Sequence, residues 1–237
     1  MPYDTSFRLL RHLVCSLVLL ATFAAPAVAE PVRCEDPTFL VDDAGFGLVD
    51  RICLTASVAQ RLLDECGLTI ERPVTLLIRP DLGDDYPRCS GVFHCEDDLA
   101  EVLPPEEMWL GLEAASPFRV LSAETYFDSV VVHELAHAAA EHTLRAGATS
   151  RADMEYIAYA MQIESLPAKA RAALRAEWPV QVPVPQERMN DFVLSFVPHR
   201  FALLAWTHFD TEGNGCAFIE ELLTGDATLA LPALGIE

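Results

Sequence analysis

Two histidines four residues apart, with a glutamate directly after the first, stand in His133-Glu134-Leu135-Ala136-His137. Their types and spacing can do chemistry. On a helix, positions i and i+4 share a face with Cβ atoms roughly 5–6 Å apart, so both imidazoles can bind one metal ion without bending the backbone. Glu134 then points beside the ion rather than at it. This is the H-E-x-x-H arrangement, in which the two His hold zinc and the Glu acts as general base on a water held by the metal. The plain alternative is a core helix whose histidines only hydrogen-bond, and the surroundings of the motif bear on that choice.

The segment that must carry the motif reads as one buried helix over about 123–144. Val130-Val131-Val132 precedes the motif and Ala138-Ala139-Ala140 follows it, Ser122 stands at the cap position and Glu124 in the first turn. Arg145 falls in the last turn and Gly147 just beyond, where helices tend to stop. A catalytic zinc site takes three protein ligands and leaves a position open for water, so a third ligand must come from elsewhere. His142 and Glu155 are the candidates that follow closely. Glu155 is the better one. It lies on a second helix that Ser150 and Asp153 open as a capping box, running through Met154-Glu155-Tyr156-Ile157-Ala158-Tyr159-Ala160-Met161-Gln162. Glu155, Ala158 and Gln162 share one face, and the small Ala158 lets this helix pack close enough to bring Glu155 to the metal.

His133-Glu134-x-x-His137 followed by Glu155 resembles the gluzincin branch of the zinc metallopeptidases, the thermolysin-like clan, and is closer to its minimal members than to thermolysin. The metzincin pattern is excluded, because it needs Gly and His where this chain has Ala140 and Thr143. The resemblance covers roughly residues 70–165. It implies a zincin-like fold, His133, His137 and Glu155 as zinc ligands, Glu134 as the base, and hydrolysis of peptide bonds. Two departures stand out: Tyr159 occupies the place of an Asp in thermolysin-like enzymes, and no oxyanion-stabilising His or Tyr can be matched by spacing. The chain also resembles uncharacterised exported bacterial proteins, a likeness that says nothing about substrate.

Residues 1–29 read as a secretory signal: Arg8 and Arg11 carry the positive charge, an apolar run extends from Leu13 to Ala25, and Ala27-Val28-Ala29 is a cleavage site. Residues 30–237 then form a single domain, exported to the periplasm or beyond the cell. Cleavage removes Arg8, Arg11 and Asp4 and takes the formal charge from −20 to −21. Such a surface repels nucleic acid and anionic lipid. Once the signal is removed, no stretch is long or apolar enough to hold the chain in a membrane.

Six cysteines remain after cleavage: Cys34, Cys53, Cys66, Cys89, Cys95 and Cys216. In an exported chain an even number predicts disulfides, here three, with Cys89 and Cys95 flanking a short Ser-Gly turn that a bridge could close. None has C-x-x-C spacing, which disfavours a cysteine zinc site.

Along the rest of the chain, apolar residues from Val49 to Cys66 recur at helical spacing and Gly67 ends the run. Val74 to Ile78 reads as a buried strand, and Gly91 to Cys95 and Leu99 to Leu103 as two more. Leu99 to Leu103 is expected at the sheet edge beside the metal helix, where an extended peptide could add as a further strand. Pro104-Pro105-Glu106-Glu107 opens a short helix, Pro167 opens another to about Trp178, and Gln186 to about His208 reads as one long helix interrupted at Pro198. His199 and His208 are candidate oxyanion donors, although a structural role suits them better. Asp210, Glu212, Asn214, Gly215 and Glu221 fall at EF-hand positions, but Glu at the third and Ala217 at the eighth favour a stapled turn over a calcium loop.

The sequence thus predicts an α+β fold, a mostly helical zincin-like domain with a small mixed sheet beside the metal-binding helix. It predicts a monomeric, Zn2+-dependent hydrolase of peptide or protein substrates. The rival from another class is an exported protein that keeps a zinc-stabilised scaffold without turnover.

Overall fold

The computed structural model describes residues 30–87, 89–145 and 149–231. The predicted signal segment and Gly147 lie outside the described residues. The chain begins with β1 (Val32–Arg33) and β2 (Phe39–Asp42), two strands too short to be read from periodicity, then α1 (Val49–Glu65) and β3 (Val74–Ile78). After these come β4 (Gly91–His94), β5 (Leu99–Val102), the short helix α2 (Pro105–Gly111) and a 3-10 turn at Pro117–Val120. The long helix α3 (Ala123–Thr143) is followed by α4 (Arg151–Glu164) and α5 (Ala168–Glu177). A second 3-10 turn, Gln186–Arg188, leads to α6 (Asp191–Phe196), α7 (Pro198–Phe209) and α8 (Gly215–Thr224).

The five strands form one mixed sheet in the order β1-β2-β3-β5-β4. β3 is parallel to both of its neighbours, while β1 and β4 run antiparallel at the two ends. Along β3 the side chains of Val74, Leu76 and Ile78 are fully buried and alternate with half-buried Thr75 and Leu77, so one face is pressed into the core. The fold is α+β, with α3 lying against β4 and β5.

α3 is the central helix. Its buried positions run around the whole helix, including Phe127, Val131, Leu135, Ala136 and Ala139, which a surface helix with one apolar stripe would not show. The Ser122 hydroxyl caps it by accepting from the Thr125 N–H. The Arg51 guanidinium on α1 grips the Asp128 carboxylate through two 2.7 Å bonds. At the other end of α3, His142 Nε2 lies 2.7 Å from Asp98 in the β4–β5 turn, and Arg72 holds the same carboxylate at 2.7 Å. α3 is therefore tied to the sheet at its C-terminal end, which fixes β4 beside it.

Three expectations are corrected. The edge strand next to α3 is β4, whereas β5, expected at the edge, is enclosed between β3 and β4. Chain order places Leu99–Val102 last, but the tight β4–β5 hairpin folds the earlier strand to the outside. The expected three bridges reduce to two among the described residues, Cys34–Cys53 and Cys66–Cys216. Cys95 is an exposed thiol, and no bridge joins it to Cys89. The four extended residues of β4 lie between them and span about 13 Å, against the roughly 4–7 Å that a disulfide allows between Cα atoms. Finally, the run from Gln186 to His208 is interrupted at Pro198 as expected, but its helix starts later, because Gln186–Arg188 is a separate 3-10 turn. Asn190 starts α6 by accepting from the Phe192 and Val193 N–H groups, and α7 begins again at Pro198.

Candidate metal centre

Two features of α3 and α4 bring the donors together. Ser150 and Asp153 form the predicted capping box, with both reciprocal bonds made, at 3.1 Å and 2.7 Å. The buried Asp153 carboxylate also accepts from the Leu229 N–H and the Thr228 hydroxyl, so the start of α4 is locked to the chain near its end. On that anchored helix Ala158 is fully buried one turn after Glu155, and the two helices pack along their length. Glu155 is thereby delivered to the histidine pair.

His133 Nε2 and His137 Nε2 lie 3.1 Å apart, and Glu155 Oε2 is 3.6 Å from His133 Nε2. The three donor atoms all fall within 4.8 Å of one another. Two nitrogens on one tetrahedral zinc, each at about 2.0–2.1 Å, stand roughly 3.3 Å apart. Burial holds both rings below the usual histidine pKa. Each ring adds to this or is offset in its own way: His133 is pushed further down by His137, whereas Glu155 pulls His137 back up. Neutral rings keep the lone pairs that a metal needs. The set of two imidazoles and one carboxylate fits zinc with a position left open.

Glu134 is buried at 4% exposure and makes no hydrogen bond among the described residues. Burial and the nearby Glu155 carboxylate push its pKa well above the ordinary carboxylate range, the direction that suits a base working near neutrality. Across from it runs β4. A Cβ built on Gly91 would lie 2.5 Å from Glu134 Oε1, so the strand approaches the carboxylate as closely as a bare backbone permits. One residue earlier, the Ser90 hydroxyl lies 3.2 Å from that of Tyr126 on α3.

Behind the three donors, His133 Nδ1 is buried without a hydrogen bond among the described residues. The Gln162 side chain is close enough to favour a proton on the ring, although it does not meet Nδ1 with bonding geometry; its amide instead donates to the Ser129 hydroxyl at 3.3 Å. Tyr159 takes the place of the expected Asp and packs edge-on against His133, with ring centroids 4.6 Å apart.

The remaining candidates fall elsewhere. His142 serves the Asp98 clasp and accepts from the Glu71 N–H. His208 lies 2.8 Å from the Tyr156 hydroxyl, and His199 packs edge-on against Phe118 with the Glu113 carboxylate 4.0 Å away. In the 210–221 segment, Asp210 is held by Arg175, Asn214 donates to the His208 carbonyl, and α8 already starts at Gly215, so the residues do not converge on a calcium ion. Cys216 staples that turn to α1's end through Cys66. The sequence reading missed Gly91. Its signal was an isolated glycine opening a strand, which marks close approach of another group.

No described helix is long and apolar enough to cross a membrane. No curated protein matches the chain, and neither does any solved structure. Residues 39–232, most of the chain, match the family DUF6639, and the protein accordingly belongs to this family of unknown function.

Proposed function

We propose that the protein is an exported zinc-dependent peptidase of gluzincin type, with His133, His137 and Glu155 as ligands and Glu134 as general base. The observation that carries this reading is the pairing of a three-donor set with a buried carboxylate that has no hydrogen bond among the described residues, all on two packed helices. A purely structural zinc site is closed by a fourth ligand and has no use for a base. The two disulfides fit an oxidising compartment and so support export.

Zinc, when bound, supplies Lewis acidity that lowers the pKa of a water and polarises the scissile carbonyl. Glu134 takes the proton from the attacking water and passes it to the leaving amine, a transfer that its raised pKa favours. β4 is an edge strand, and an extended peptide can pair with its free side through main-chain hydrogen bonds. The bare Gly91 leaves Glu134 its room at that edge.

The test is Glu134→Gln in the zinc-loaded mature chain. The variant should keep its zinc and its fold and lose about 10²–10⁴ in the rate of cleaving a diverse peptide library. A wild-type protein no faster than the variant would replace this reading with that of an exported, zinc-stabilised scaffold.

A further inference from the structure

A cavity of about 410 Å³ opens between α7 and the end of α5, and it shares no residue with the three metal donors or Glu134. The Trp206 indole N–H in its wall donates to Glu164 at 3.1 Å, the last residue of α4 and nine residues, about 13 Å of helix, beyond Glu155. The walls are apolar, with Trp178, Val180 and Val182 from the chain at and after the end of α5 and Leu203 and Trp206 from α7. Arg175 and Asp210 also line an adjoining surface groove, which places this ion pair at the cavity's mouth. Arg175 is held from two directions. Its guanidinium lies 4.5 Å over the Trp206 ring and donates to the Asp210 carboxylate at 2.8 Å, using one of its five N–H donors among the described residues. Both charged side chains stay open to water, at 56% and 46% exposure, and apolar Val182 is left exposed on the wall. An apolar concavity with a few convergent polar groups has the form of a small-molecule site, and this volume, near the lower end for such sites, suits one small ligand.

We propose that this cavity binds a free α-amino acid with an aliphatic or aromatic side chain, its carboxylate on Arg175, its ammonium on Asp210 and its side chain among Trp178, Val182 and Leu203. The charges at the mouth select the head group. Arg171, in the adjoining groove, adds no spare cation, because Glu164 and the carbonyls of Glu164 and Leu166 hold it. A ligand carrying only an anion would meet a cation already neutralised by Asp210, and one carrying only a cation would meet the reverse. A zwitterion brings both counter-charges. An exposed ion pair contributes little, so parting Arg175 from Asp210 is cheap once each half gains a new partner. A guanidinium stacked on an indole, with donors to spare, presents the fork that a planar carboxylate fits. The walls select the side chain, since filling the cavity takes the apolar surface of Val182 and of the ligand out of water. No step in this depends on the metal, so the site goes beyond the peptidase reading and stands or falls without it.

Two of the three tryptophans line the cavity, so its filling can be followed by tryptophan fluorescence of the mature chain, with calorimetry as a second measurement. Leucine and phenylalanine should bind saturably, equally with zinc present or chelated. Glycine, leucinamide and N-acetyl-leucine, which lack the side chain, the carboxylate and the ammonium in turn, should each bind at least about tenfold more weakly. Arg175→Gln and Asp210→Asn should each weaken leucine binding by about tenfold or more. Val182→Glu, at an exposed position where the fold is not at stake, should abolish it by placing an acid in the apolar wall. Circular dichroism and an unchanged thermal midpoint confirm that the variants compared are folded. Absence of saturable binding by both leucine and phenylalanine would overturn the proposal, as would binding left intact in both Arg175→Gln and Val182→Glu. N-acetyl-leucine binding as tightly as leucine would overturn it in favour of a site for apolar acids. Binding that disappears on chelation would overturn it by placing the amino acid at the metal centre.

Discussion

Gly91 and Glu134 are in contact across the β4–α3 boundary, so closely that a methyl group on the Gly91 Cα would sit 2.5 Å from Oε1 and 2.9 Å from Cγ of the glutamate. The contact joins the two parts of the proposed site, the strand that would align a peptide and the base that would act on it. The spacing between strand and base is set by a missing side chain.

Gly91→Ala should therefore displace the Glu134 carboxylate while leaving the metal ligands in place. The expected outcome is normal zinc content, a fold unchanged by circular dichroism, and a fall in kcat/KM of roughly tenfold or more, because a base misplaced by about 1 Å loses its geometry. Full activity in this variant would show that Glu134 adjusts without cost and that the close approach is incidental.

Metal content separates the three ligands from the neighbouring histidine. Glu155→Ala should weaken zinc binding by orders of magnitude when followed by elemental analysis after dialysis. His142→Ala should keep its zinc but melt earlier, because that ring serves Asp98 and not the metal. Zinc retained at full occupancy by the Glu155 variant would sink the assignment of the third ligand. Chelation of the wild type should lower its Tm, as removal of any ligand specific to the folded state does.

The Asp98 clasp gives a pH dependence with a defined sign. Its hydrogen bond from Arg72 holds the carboxyl down to about 2 from 3.8, with burial opposing and His142 assisting. A carboxyl depressed in the folded state contributes stability above its unfolded value and loses that contribution as pH falls through the folded value. Asp98→Asn, which tolerates the left-handed backbone at this position (φ 48°), should lower Tm by roughly 2–5 °C at pH 7. The gap between variant and wild type should hold down to about pH 5 and close between about pH 4 and 2. A gap independent of pH over that range would assign the loss to packing.

Thiol chemistry tests the bridges. Alkylation of the native protein without reductant should label Cys95 and spare Cys34, Cys53, Cys66 and Cys216, as read by peptide mass mapping. The Cys66–Cys216 bridge joins positions 150 residues apart, and its removal by a double serine variant should cost about 3–5 kcal/mol in denaturant unfolding. Protection of Cys95 from alkylation would revive the third bridge and require β4 to be remodelled.

Local signals determined much of this protein from sequence. The i, i+4 pair of His133 and His137, the Ser122 cap and the Ser150–Asp153 capping box depend on residues within one or two turns, and α3 and α4 appear where those signals place them. Proline boundaries likewise delivered β3, and near-helical spacing delivered α1. Tertiary structure alone decided the rest, because those features join residues far apart in the chain. Which of β4 and β5 forms the edge depends on how a hairpin folds against β3, and periodicity is the same for both. The pairing of Cys66 with Cys216 and the meeting of Gly91 with Glu134 have no counterpart in local spacing. The same holds for Tyr159. Sequence could say only that it was not an Asp, whereas packing sets its ring against His133.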